Sequence, residues 1–167
     1  MSATAEDNAA KTRRYYEALW NRRDFGVIPD WVAPEFVGHY TGLPEPVRGV
    51  DGFRAMAEEL IGAFPDLRME IEDVIADRDR VVSRVTMTGT HLGAMSGFAP
   101  TGARVEAGLI AIEHYSGGLC VEEWANTDDV AIARQIGALP KPGTREERIG
   151  QALFGLRARR MRRRNAR

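Results

Sequence analysis

The hydrophobic period of this chain changes at Pro65, and that change limits the fold class more than any other feature. Before it, apolar residues recur at helical spacing. Ala9, Thr12, Tyr16, Leu19 and Trp20 make one stripe along residues 8–23, and Phe53, Met56, Ala57, Leu60, Ile61 and Phe64 make a clearer one along 50–64. A short helical stretch from Phe25 to Val32 runs toward Pro34, where a break is expected. Phe36 to Arg48, with its two glycines and two prolines, reads as a loop after a short extended piece. After Pro65 the period is two. Leu67, Met69 and Ile71 alternate with charged residues, Asp77-Arg78-Asp79 makes a turn, and Val81 to His91 follows as a second strand. Gly93 to Gly102 is a loop. Val105 to Tyr115 and Leu119 to Thr127 are strands joined at Ser116-Gly117-Gly118, and Asp128 to Ile136 returns to helix, closed by Gly137 and Pro140. Helices followed by a meander of strands predict an α+β domain, a curved antiparallel sheet packed against about three helices of the N-terminal half.

The expected domain covers residues 1–140. Beyond it, Thr144 to Glu147 has capping-box spacing, and Ile149, Leu153 and Leu156 predict one more amphipathic helix, so 141–167 is read as an arginine-rich helical extension. Residues 157–167 hold seven arginines and no acid. Without them the chain carries 16 basic against 24 acidic residues, about −8. Such a body repels nucleic acid, which only the tail would attract, and the plain reading of the tail is a solvated end. No apolar run reaches the length of a membrane span, and Met1 to Ala10 is polar and acidic, so neither a membrane span nor a signal peptide is expected. The single cysteine, Cys120, rules out an intrachain disulfide and a thiolate-rich metal site, and makes a cytoplasmic location the default.

Motifs for dinucleotide, phosphate-loop, zinc-protease and α/β-hydrolase chemistry are missing. Cys120 sits mid-strand between Leu119 and Val121, the setting of a core residue. His39, His91 and His114 are spread along the chain without the close spacing of metal ligands, so no metal is expected. Trp124, Asn126 and Asp128 share strand parity and face one side if no bulge intervenes, and an indole, an amide and a carboxylate together suggest a pocket. Asp128 equally suits the cap of the helix that begins at Asp129. Both readings stand at this point.

Taken in order, Tyr15-Tyr16-Glu17-Ala18-Leu19-Trp20-Asn21, Phe64-Pro65-Asp66-Leu67, Gly89-Thr90-His91-Leu92-Gly93, Pro100-Thr101-Gly102, Glu122-Glu123-Trp124 with Asp128, and Gln135-Ile136-Gly137 resemble the SnoaL-like polyketide (ester) cyclases, within the superfamily of nuclear-transport-factor-2-like (NTF2-like) folds. The likeness runs from about residue 8 to 140. It implies an NTF2-like cone enclosing an apolar cavity, a homodimer, a small hydrophobic polyketide-like substrate, and intramolecular aldol closure without metal or organic cofactor. It implies Asp128 as general acid/base with His114 nearby, and His39 at the cavity mouth. Trp124, Asn126, Phe36, Phe64, Tyr16 and His91 complete the expected lining, and apolar walls of that kind would raise a carboxyl pKa. The superfamily hosts several chemistries on one scaffold. Hydroxylation, dehydration or isomerisation in the same pocket, and a non-catalytic dimeric small-molecule-binding module, are therefore the alternatives. The extension beyond Pro140 lies outside the resemblance.

Overall fold

The computed structural model describes residues 4–95 and 97–165, with the side chains of 156 and 159–165 left aside. Helix α1 (Ala5–Tyr15) starts at a capping box: Asp7 N donates to Thr4 Oγ1 at 3.1 Å, and Thr4 N donates to Asp7 Oδ2 at 3.0 Å. It continues as a π-helical turn, Tyr16–Asn21. The wider turn brings Tyr15, Tyr16, Ala18, Leu19 and Trp20 all into the core, more than one helical stripe could bury. Asn21 then anchors this segment to the sheet, giving its amide to Met69 O at 3.1 Å and accepting from Met69 N at 2.9 Å. A 3₁₀ turn (Phe25–Val27) and α2 (Ile28–Trp31) lead into the sheet.

Six strands follow: β1 (Val32–Tyr40), β2 (Val47–Arg48), β3 (Arg68–Asp77), β4 (Arg80–Thr90), β5 (Arg104–Ser116) and β6 (Leu119–Thr127), in the spatial order β2-β1-β6-β5-β4-β3. Helix α3 (Gly49–Ala63) lies between β2 and β3 in sequence, α4 (Asp129–Gln135) follows β6, and α5 (Arg145–Asn165) ends the described chain. The α+β class and the curved sheet hold, with one departure. β1 is a full strand rather than a short piece before a loop, and it pairs parallel to β6, so the sheet is mixed. Its register slips between Val32 and Val37, so Pro34, which has no N–H to donate, sits where no ladder bond is required. Bulges near Ile71–Asp73 in β3 and in β6 opposite His114–Tyr115 add twist to the sheet. The hairpin at Gly117 and Gly118 has φ of 58° and 80°, the two left-handed positions that a tight two-residue turn demands.

One sheet face is covered by α1, its π-helical turn, α2 and α3. On β5 the covered phase is Val105, Ala107, Leu109, Ala111, Glu113 and Tyr115, buried in strict alternation. Phe36, Phe53, Phe64, Trp31, Leu19 and Ile28 fill the layer between. The opposite face is bare, with Ile75, Ile110 and Ile112 exposed. Among the described residues no helix is long and apolar enough to cross a membrane. Of the arginine run 157–167, the backbone is helical through Asn165, while the side chains of 159–165 and residues 166–167 lie outside the described set.

Candidate functional site

The covered phase of β5 contains one acid, Glu113, and the corresponding phase of β6 contains another, Glu123. The two are direct cross-strand partners, so their Cβ atoms stand about 5 Å apart. Both are sealed from solvent, Glu113 at 0 % and Glu123 at 5 % exposure. Two carboxyl groups this close and this dry cannot both ionise cheaply. Burial raises Glu113 to about 8, and a charge on Glu123 adds to the rise. Burial raises Glu123 to about 7, opposed by a hydrogen bond from Tyr40. The pair therefore holds at least one proton through neutral pH.

Hydroxyl donors oppose the rise at each acid, Thr12 and Tyr115 at Glu113 and Tyr40 at Glu123. Glu113 Oε2, Thr12 Oγ1 and Tyr115 OH form a triangle: Thr12 touches Glu113 closely, Thr12 lies 2.7 Å from Tyr115, and Tyr115 lies 3.0 Å from Glu113. Three oxygens in mutual contact need three protons to fill the edges. The two hydroxyls supply two, and a protonated Glu113 supplies the third. An ionised Glu113 would leave one edge as oxygen against oxygen. Trp31 Nε1 donates to Tyr115 OH from outside the triangle at 2.6 Å. Glu123, by contrast, only accepts, from Tyr40 OH. Tyr40 is held there by β1, whose Gly38 lies opposite Glu123. A Cβ at Gly38 would collide with the rings of both Tyr40 and Phe36. Beside the acids, Ala111 and Ala125 face each other across the same two strands, with Ser83 next to Ala111 on β4. The Oε1 of Glu113, Ser83 Oγ and the Tyr15 hydroxyl are buried with no partner.

The residues named from sequence fall into three groups. Phe36, Phe64 and Tyr16 lie inside, on the covered side. His91 is also buried, at the end of β4, with its ring 5.6 Å from Phe64, its Nδ1 3.1 Å from Thr101 Oγ1, and its Nε2 unpartnered. His39, Trp124 and Asn126 gather on the bare face instead. His39 stacks on Trp124 (5.0 Å, 12°) and its Nε2 lies 3.3 Å from Glu122 Oε1, and all three line a pocket of about 270 Å³ closed by Leu43, Pro44 and Pro46. His114 and Asp128 are not brought together. His114 pairs with Glu122 near the hairpin, its Nε2 2.9 Å from Asp79 Oδ2 on the bare face. Asp128 follows Thr127 at the far end of the ladder, about 20 Å away along the strand. It is exposed and caps α4, accepting from Ala131 N at 2.9 Å.

The parity argument placed Trp124 and Asn126 together correctly, but parity does not say which side the helices cover. Sequence reasoning gives neither glutamate a site role, Glu123 entering only within the Glu122-Glu123-Trp124 motif, although counting in twos from Val105 puts Glu113 in the apolar phase. Cys120 is buried, and burial raises its thiol far from a reactive thiolate. Among the described residues, no three His, Cys, Asp or Glu side chains converge as a metal site would require.

A family model described as SnoaL-like polyketide cyclase matches residues 10–136. Among solved structures, AclR of Streptomyces galilaeus, provisionally titled a hydroxylase, is 28 % identical with a TM-score of 0.73, covering 94 % of this chain and 98 % of its own. IdmH of Streptomyces antibioticus, provisionally titled a polyketide cyclase, is 26 % identical with a TM-score of 0.69, covering 78 % and 98 %. A provisionally titled SnoaL-like polyketide cyclase from Jannaschia sp. CCS1 is 24 % identical and superposes with a TM-score of 0.76, covering 84 % and 98 %. Among curated proteins none matches.

Proposed function

The chain belongs to the SnoaL-like polyketide cyclase family, and on that premise we propose that it closes a ring in a hydrophobic, polyketide-like substrate by intramolecular aldol chemistry, with Glu123 as base and Glu113 as acid. The observation that carries this reading is the buried cross-strand carboxyl pair, two acids face to face on the covered sheet face and both raised by burial. Glu123 takes the proton from a carbon flanked by two carbonyls. The enolate carbon bonds to the acceptor carbonyl carbon, whose π electrons move to oxygen, and Glu113 gives that oxygen its proton. A proton passing from Glu123 to Glu113 then restores the pair. The product is an isomer of the substrate, and the protein's own groups supply every proton. Asp128, outside the covered face and engaged as a cap, has no part in this scheme.

The test is ring closure of an anthraquinone bearing a β-keto ester side chain, with chelator present and oxygen excluded, followed by mass and retention time. Wild type should give a product of unchanged mass and new retention. Glu123→Gln should lose about a hundredfold or more, the usual weight of a catalytic base, while Asp128→Asn keeps most of the rate. An active Glu123→Gln with a dead Asp128→Asn would return the acid/base role to Asp128. A hydroxylated product on readmitting oxygen would move the reaction to the hydroxylase reading.

We also propose that the protein is a homodimer through the bare sheet face. Ile75, Val82, Ile112, Trp124 and His39 form one row in direct register across five strands. The adjoining row, Asp77, Arg80, His114 and Glu122, is polar, with a carboxylate at each end. A second copy turned by a two-fold axis through Ile112 would set apolar row on apolar row.

A further inference from the structure

Helix α5 is 21 residues long and leaves every residue from Arg148 to Gly155 exposed. Among them are three large apolar side chains, Ile149, Leu153 and Phe154, exposed by 51 %, 62 % and 71 %. Apolar side chains kept wet together on one helix mark a contact surface whose partner is not part of the fold. By helical spacing, Ile149, Leu153, Arg157, Arg160 and Arg164 fall in a single row, with Phe154 and Met161 beside it. The row is apolar where it begins and cationic beyond. The acids of α5, Glu146 and Glu147, are confined to its first turn, where Glu147 accepts from Gly143 N at 2.6 Å. The run 157–167 holds seven arginines and no acid to offset them.

We propose that α5 lies on an anionic phospholipid surface, with Ile149, Leu153 and Phe154 at the edge of the acyl chains and Arg157, Arg160 and Arg164 on the lipid phosphates. Two separate requirements meet in that partner. Exposed apolar side chains call for a hydrocarbon phase, and an arginine run without acids calls for a dense array of anions. Duplex nucleic acid would answer the second and leave the first unmet. Arginine carries an apolar stem to a forked phosphate-binding head, so the row passes from apolar to cationic without leaving the surface. α5 lacks the apolar length to cross a bilayer, so the contact runs along it. The body, about −8 without the arginine run, would be pushed away from the same surface. The helix puts distance between the two. At a rise of 1.5 Å per residue, Arg157 stands about 18 Å along the axis from Arg145. Physiological salt screens a charge over roughly half that length.

The experiment is flotation of the full chain with vesicles of phosphatidylcholine alone and of phosphatidylcholine mixed with phosphatidylglycerol. Leu153→Ser, Phe154→Ser, Arg160→Glu and Arg148→Glu are floated alongside, the last lying on the far side of the same helix by its spacing. Wild type should bind the anionic vesicles and leave the neutral ones, and high salt should release it. Arg160→Glu should weaken binding about fivefold or more. Leu153→Ser and Phe154→Ser should each weaken it about threefold or more, whereas Arg148→Glu, with the same change of charge, should cost about twofold at most. Equal binding to both kinds of vesicle, or binding to neither, overturns the proposal. So does affinity indifferent to Leu153→Ser and Phe154→Ser, and so does an equal loss in Arg148→Glu and Arg160→Glu. Duplex DNA added at equal phosphate concentration should leave the protein on the vesicles; its complete removal would make α5 a nucleic-acid site and overturn the assignment. None of these measurements involves turnover, so a failed cyclisation assay leaves their outcome independent.

Discussion

Replacing Glu113 by Gln should remove most of the effect of pH on stability. In the unfolded chain a glutamate titrates near 4.5, and in the folded protein Glu113 titrates near 8. Between those values the folded state holds a proton that the unfolded state has released, so stability falls as pH rises. Each pH unit of that interval costs roughly 1.4 kcal/mol, and the whole interval on the order of 5 kcal/mol. Glu123, titrating near 7, adds a further loss of similar sign and smaller size. Because the two share one site, their losses do not simply sum, and a drop on the order of 5 kcal/mol between pH 5 and pH 9 is expected for wild type. The Glu113→Gln substitution removes the larger part. At pH 5 the variant should be the weaker protein by about 1–2 kcal/mol, since an amide nitrogen in the triangle only donates and leaves one hydroxyl proton of Thr12 or Tyr115 without an acceptor. At pH 9 it should be the more stable one. The assay is urea unfolding of both proteins at pH 5, 6, 7, 8 and 9, compared at constant m-value. A wild-type stability that stays flat or rises from pH 5 to 9 would refute the reasoning, and so would a slope that survives the substitution unchanged.

Three more outcomes follow from the same geometry, and a fourth from the α4 cap. Turnover should peak narrowly between pH 7 and 8, because Glu123 must be ionised and Glu113 protonated; a rate that climbs steadily past pH 9 would contradict these roles. Gly38→Ala should displace Tyr40 from Glu123, cutting kcat by roughly tenfold or more while the far-ultraviolet circular dichroism is kept. Ile112→Arg, at the centre of the bare apolar row, should give monomers by sedimentation at micromolar concentration, whereas a monomeric wild type would remove the proposed interface. Asp128→Ala should lower stability by about 1 kcal/mol through loss of the α4 cap, read as a small fall in Tm.

Much of the architecture was legible in the chain itself. Pro65 marks the change from helix to strand, Gly117-Gly118 specifies the turn of the β5–β6 hairpin, and the Thr4–Asp7 capping box starts α1 at Ala5, ahead of the apolar stripe read from residue 8. Each works through local geometry: a side chain satisfying a free N–H, a ring that removes a donor, a backbone that tolerates positive φ. The alternation along β5 likewise sorts its residues into two faces without reference to anything distant. β1 escaped because glycine and proline break its pattern, and its parallel partner, β6, lies more than 80 residues away. The site escaped for a related reason. Periodicity separates Glu113 from His114 and Glu123 from Trp124, but both faces carry aromatic and titratable groups, and only the packing of α1, α2 and α3 decides which face becomes dry. That choice sets the local dielectric. With it come the raised carboxyls at Glu113 and Glu123, the helix-capping work of Asp128, and the half-buried setting of His114 on the bare face, since a charge is costly only where water has been excluded.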